Sequence, residues 1–91
     1  MNDEEKKKIL KCDLQLLTDA HDEYLGQLLE LGAAEIEREG IELLDTIEYD
    51  MAVVHYAAYL FRKRASDNTA MPRFLRYELN NLLLSQKGGG R

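Results

Sequence analysis

The chain has 91 residues and a mass of 10.5 kDa, which is room for one small domain. A domain of this size buries only roughly 60 to 65% of the surface that its unfolded chain exposes, so association with further copies is a natural way to gain stability. The net charge of −5 argues against a general nucleic-acid binder, because affinity for phosphate comes mainly from Lys and Arg. Without a signal-peptide segment or the roughly 18 apolar residues of a bilayer span, we expect a protein of the reducing cytosol.

The apolar residues recur at helical spacing and strand-like alternation is missing, which predicts an all-α fold, a small bundle of about four helices. We expect one domain over residues 1–87 and a flexible glycine-rich tail at residues 88–91. A capping box of Asn2 and Glu5 begins the first helix, which runs to about Cys12. We expect the Cys12 side chain to be small, apolar and buried.

The second helix is predicted over residues 20–39, with Asp19 as its N-cap and Gly40 as its C-terminal stop. Its apolar positions are Leu25, Leu28, Leu29, Gly32 and Ile36. The connector at residues 41–44 is short and apolar, and we expect it to form one helical turn.

The third helix is predicted to be the central, most apolar one, and Asp45 and Glu48 offer it a capping box. Its inward face is predicted to hold Ile47, Met51, Val54, Ala58, Phe61 and Ala65. A helix that is apolar nearly all round must be covered on more than one side. Pro72 then opens a fourth helix, whose inward positions are Phe74 or Leu75, followed by Leu79, Leu82 and Leu83.

No set of residues predicts an enzyme, a cofactor or a metal site. His21 lies beside acidic residues, but adjacent helical positions point in different directions, and we expect it to be solvated or structural. His55 is expected to be a buried neutral imidazole bonded to the backbone or to a tyrosine. The acidic pair Glu35 and Glu39 lacks histidine partners, so a solvated acidic face is the simpler interpretation. The glycines at 88–90 lack the Lys and Ser or Thr that follow in a phosphate loop.

Charge is distributed unevenly along the chain. Residues 1–45 contain thirteen acidic and five basic residues, whereas residues 46–91 contain four acidic and seven basic ones. This asymmetry predicts that one end of a subunit attracts the opposite end of a neighbour. The candidate interface residues are Arg62, Arg64, Arg73 and Arg76 on one side and Glu35, Glu39 and Glu42 on the other.

Five segments together resemble a known family: residues 9–14 (ILKCDL), 19–29, 33–41 (AAEIEREGI), 56–64 (YAAYLFRKR) and 71–81 (MPRFLRYELNN). Over most of residues 3–87 the chain resembles the small head-tail connector (adaptor) proteins of long-tailed bacteriophages and prophages, also labelled DNA-packaging proteins. The shared features are patterns of helix and turn, not catalytic signatures.

The resemblance implies an all-helical structural subunit of the virion head-tail junction, made in the cytoplasm of the bacterial host. Copies would form a homo-oligomeric ring of about a dozen subunits. The ring would lie beneath the portal protein and above the next tail-side connector protein, and packaged DNA would pass through it without sequence-specific contact. No membrane is implied.

Two alternatives remain open. The basic corner between Arg62 and Arg76 could belong to a small DNA-binding or regulatory protein, although the stretch from Ala65 to Met71 exceeds the three or four residues of a helix-turn-helix turn. The chain could also be a helical module that binds a partner as a dimer.

Overall fold

The computed structural model describes the backbone of residues 1–89 and the side chains of residues 1–86. This part of the chain forms four helices and no strand: α1 (Asp3–Leu14), α2 (Asp22–Arg38), α3 (Ile47–Ala65) and α4 (Arg73–Gly89). The predicted all-α bundle of about four helices is confirmed. None of the helices described, residues 3–89, is long and apolar enough to cross a membrane.

Helix α3 is central, as predicted, and contacts each of the other three helices. Met1 lies near Asp50 and Asp13 near Arg62, so α1 runs parallel to α3. Helix α2 runs antiparallel to α3, since Tyr24 near its start lies beside Phe61. Helix α4 is also antiparallel, because its residue Phe74 lies against His55 and its residue Gln86 bonds to the connector before α3.

The core confirms the predicted inward positions of α2, all five of which are buried. On α4 the choice between Phe74 and Leu75 is decided in favour of Leu75, which is fully buried together with Leu79, while Phe74 is 55% exposed. The predicted face of α3 is wrong in part. Ile47 is 70% exposed, whereas Tyr49 and Asp50 are buried. The reason is that three helices cover α3, so its buried surface includes positions outside the predicted face.

Two predicted helix starts are displaced. The capping box of Asn2 and Glu5 is present as predicted, but α2 begins after His21, which makes no side-chain capping bond, and not after Asp19. Asp19 is instead paired with Lys11. At α3 the cap is Thr46, whose hydroxyl accepts from the amide of Tyr49, and not Asp45.

The ends of the elements bring further corrections. Helix α1 continues to Leu14, and Gln15 follows it as the C-cap with φ 59°. Cys12 is exposed, not buried. The connector 41–44 contains no helical turn. Gly40 has φ +94°, as its predicted role as a stop requires. The fourth helix includes Gly88 and Gly89, the start of the predicted tail, and the remainder of that tail lies outside the described residues.

Candidate functional site

The two histidines lie in separate places. The ring of His21 meets the ring of Phe61 edge-on at 5.7 Å. His55 Nδ1 lies 2.9 Å from Glu78 Oε1, so the expectation of a backbone or tyrosine partner for His55 is wrong. Within residues 1–86 no three His, Cys, Asp or Glu side chains are grouped in a way that could hold a metal ion. Each histidine contacts a side chain of another helix, Phe61 on α3 for His21 and Glu78 on α4 for His55.

The three candidate acidic residues have different surroundings. Glu35 accepts a hydrogen bond from Arg38 Nη1 at 2.8 Å, within α2. Glu39, just after α2, accepts from the guanidinium of Arg76. Glu42 is exposed, and its backbone amide and carbonyl both bond to the side chain of Gln86, at 2.8 and 2.9 Å. Of these three candidates, Glu42 is the one whose carboxylate has no ion-pair partner among the side chains described.

The four candidate basic residues have different surroundings. Arg62 donates to the carboxylate and the backbone carbonyl of Asp13 at the end of α1, at 3.3 Å each. The Arg64 guanidinium lies over the rings of Phe61 and Tyr24, 4.5 and 5.2 Å from their centres.

Arg76 reaches the end of α2, and Arg73 is exposed with no ion pair among residues 1–86. Two of the four residues of the predicted basic corner, Arg62 and Arg76, are thus paired with carboxylates of the same chain.

Arg76 and Glu39 were predicted on opposite sides of a subunit interface, and they meet within one chain. The hydrogen bonds to Glu39 raise the pKa of Arg76, and partial burial opposes this shift, so the guanidinium stays protonated. Beside them, burial raises the pKa of Tyr56, with further contributions from the charges of Glu35 and Glu39. An ion pair therefore links the end of α2 to the start of α4.

A second feature of α4 is its outer face, on the side opposite the buried leucines. Phe74, Tyr77 and Leu84 are 55%, 63% and 67% exposed, and Asn81 between them is also exposed. The four positions follow each other at spacings of three, four and three residues, the spacing at which a helix presents a seam to another helix. We name Phe74, Tyr77, Asn81 and Leu84 the α4 outer face.

Helix α2 has a solvent-facing side of opposite character. Leu31, 48% exposed, and Ala34 lie there among exposed Glu23, Glu30 and Glu37. These three glutamates recur every seven residues and so follow one line along the helix. None of them has an ion-pair partner among the side chains of residues 1–86. We name Leu31, Ala34 and the three glutamates the α2 acidic face.

The sequence expectations placed the acidic candidate surface at Glu35, Glu39 and Glu42 and did not group the residues of the α4 outer face. Phe74 was weighed only as an inward residue, and Tyr77 and Leu84 were not assigned to a common face. The signal was available, since the three-four-three spacing from residue 74 to 84 is visible in the sequence. What the spacing alone does not decide is which of the two apolar sides of α4 is covered by α3.

Comparison of the chain with protein-family models, with curated proteins and with solved structures found no match.

Proposed function

We propose that this chain is a structural subunit of a phage or prophage head-tail connector. Copies assemble into a ring of about a dozen subunits that adjoins the portal protein and the next tail-side connector protein. The subunit acts in the virion after synthesis in the host cytoplasm, and it is neither an enzyme nor a cofactor carrier. The family resemblance over residues 3–87 motivates this proposal.

The observation that carries the proposal is the pair of exposed helix faces on one small domain. A closed ring requires a heterologous interface, in which one surface of a subunit meets a different surface of the next. The α4 outer face and the α2 acidic face are two such surfaces, on different helices and with different charge.

The charge distribution suits a channel for DNA. Thirteen of the seventeen acidic residues lie in residues 1–45. If this half of the subunit lines the ring, its negative potential repels the phosphates and keeps the duplex from binding to the wall. A strongly basic lumen in an assembled ring would contradict this part of the proposal.

The alternative of a DNA-binding protein that uses the basic corner has less support. Arg62 and Arg76 are each paired with a carboxylate of the same chain, and Arg64 lies over two aromatic rings. Seven residues, 66–72, separate α3 from α4, whereas the turn of a helix-turn-helix reader has three or four.

The test is native mass spectrometry of the purified chain over a concentration series, followed by electron microscopy of any assembly. We expect a species of about a dozen copies, or a ladder of masses leading to it, and a ring with an axial channel wide enough to admit duplex DNA. If the chain alone is monomeric, portal rings are added and binding is measured.

Either of two results would overturn the connector proposal. One is a chain that stays monomeric even with portal rings. The other is a compact dimer that binds duplex DNA with an affinity that falls steeply as salt increases, which would favour the regulatory protein.

A further inference from the structure

We infer that the α4 outer face of one copy docks on the α2 acidic face of a second copy of this chain. The inference rests on the proposed function only for its biological setting, because the argument for the contact uses the two surfaces themselves. It names the two sides of the interface, which the proposed ring leaves open.

The α4 outer face has the form of a helix-pairing seam. Phe74 and Leu84 end the seam, Tyr77 offers a large ring with a polar hydroxyl, and Asn81 is the one polar position. Aromatic residues of this kind are enriched in protein interfaces, and a single polar residue in a seam helps to set the register of the two helices. The opposite side of α4 is already used, since Leu75 and Leu79 are fully buried.

Charge decides which helix of the second copy is the partner. The three glutamates of the α2 acidic face have no ion-pair partner among the side chains described, whereas on α4 Arg76 is paired with Glu39, which leaves Arg73 as the unpaired arginine of residues 73–86. Pairing α2 with α2 brings two strongly negative surfaces together, and pairing α4 with α4 brings two weakly positive ones together. Only the pairing of α4 with α2 joins opposite signs, and like charges at an interface reduce affinity and exclude wrong partners.

The apolar parts of the two faces are also compatible. Leu31 and Ala34 give the α2 acidic face a small apolar centre with glutamates beside it. Arg73 begins α4 next to Phe74 and has no ion-pair partner among the side chains described. In the proposed contact the aromatic rings cover Leu31 and Ala34, and Arg73 faces the glutamates.

Because the two faces differ, an open assembly still presents an unused α4 outer face at one end and an unused α2 acidic face at the other. Such a contact continues until it closes into a ring or extends as a filament. A contact of α4 with α4 would instead stop at a dimer. The two arrangements therefore predict different oligomers when a variant with a disabled α4 face is mixed with a variant with a disabled α2 face.

The test uses full-length chains with one face disabled in each. Tyr77→Asp places a charge in the α4 outer face, and Leu31→Asp places one in the α2 acidic face. Both side chains are exposed, at 63% and 48%, so we expect both variants to fold. Circular dichroism checks the folding. Leu43→Asp, at a 72% exposed leucine outside both faces, is the matched control. Association is measured by light scattering and native mass spectrometry.

We expect Tyr77→Asp and Leu31→Asp each to weaken self-association at least about tenfold, and Leu43→Asp to assemble like the unmodified chain. Mixing the two disabled variants should restore one contact, so that a 1:1 heterodimer forms and nothing larger. The contact is wrong if the unmodified chain stays monomeric, if either variant assembles normally, or if the mixture yields no heterodimer.

These outcomes separate the inference from the connector proposal. Rings that form normally from both variants would leave the connector intact and reject this interface. A different pair of results would support the interface and reject the connector. In that case the mixture forms a heterodimer, and the unmodified chain forms open filaments, or assemblies that need no portal and have no channel.

Discussion

Arg76 on α4 donates hydrogen bonds to both carboxylate oxygens of Glu39, the residue that follows α2. The pair connects two helices that otherwise meet mainly through α3. Together with the bonds between Gln86 and the backbone of Glu42, it ties α4 to the end of α2 and to the connector. The position of α4, and hence of its outer face, therefore depends partly on an ion pair within the subunit.

Replacing Arg76 tests this role. The pair is 42% and 29% exposed, so we expect Arg76→Met to lower the free energy of unfolding by no more than about 1 kcal/mol, mostly through loss of coupling to Glu39. A double-mutant cycle with Glu39→Gln in urea denaturation measures that coupling. The control Arg73→Met should change stability by less than about 0.5 kcal/mol. Equal losses for both arginines would contradict the assignment.

The two apolar sides of α4 should respond differently to truncation. Leu79 is fully buried, and Leu79→Ala should lower the free energy of unfolding by about 2 to 5 kcal/mol, since it leaves a cavity against α3. Leu84 is 67% exposed, and Leu84→Ala should change it by less than about 0.5 kcal/mol. Chemical denaturation measures both. Comparable losses would mean that the outer face is covered within the monomer.

The close approach of α2 and α3 depends on Gly32. A Cβ at this position would lie 3.3 Å from the Val53 carbonyl oxygen and 3.5 Å from Tyr56 Cβ, so Gly32→Ala should destabilise the fold by about 1 to 3 kcal/mol. Gly26 on the same helix has only the flexible Lys7 side chain nearby, at 3.8 Å. There, Gly→Ala should stabilise by up to about 1 kcal/mol. Thermal melts of both variants measure this difference, and equal signs would contradict the packing argument.

The structure and the sequence expectation assign different N-cap residues to α3. The Thr46 hydroxyl accepts from the Tyr49 amide at 3.2 Å, so Thr46→Ala should lower the free energy of unfolding by about 1 kcal/mol. Asp45, the cap expected from sequence, should tolerate alanine with a smaller loss. Urea denaturation of the two single variants ranks them, and the reverse order would restore Asp45 as the cap.

Stability should fall at alkaline pH because of two buried tyrosines. Burial raises the pKa of Tyr49, with smaller contributions from Glu37 and Asp50, and burial likewise raises the pKa of Tyr56. In the unfolded chain a tyrosine has a pKa of about 10. Above that pH the unfolded state loses these protons first and the folded state holds more of them, so the free energy of unfolding decreases as pH rises through the raised folded-state values.

Urea denaturation between about pH 8 and pH 11 measures this decline. The variant with Tyr49→Phe and Tyr56→Phe serves as the control and should show a shallower decline, because it lacks the two hydroxyls whose pKa is raised by burial. Tyr49→Phe alone should also leave stability near neutral pH unchanged or raise it by about 1 kcal/mol, since the buried Tyr49 hydroxyl has no hydrogen-bond partner among the described residues. Identical pH profiles for the control and the unmodified chain would contradict the role of the two hydroxyls.

The helical periodicity of the apolar residues predicts much of this protein's fold. The all-α class, the four helices, the central place of α3 and the buried positions of α2 follow from local spacing, capping and glycine placement, which act over a few residues. Even the predicted cap of α3, Asp45, was wrong by only one position. These features are readable because the apolar side of a helix repeats along its own sequence.

Contacts between distant residues were decided only by the tertiary structure. It paired Arg76 with Glu39 and Arg62 with Asp13 within one chain. It also buried Leu75 and left Phe74 55% exposed. A helix with apolar residues on two sides does not reveal which side its neighbour covers. That depends on how α3 meets three helices at once, and on which charges lie within reach after folding, neither of which is encoded in the spacing of one segment.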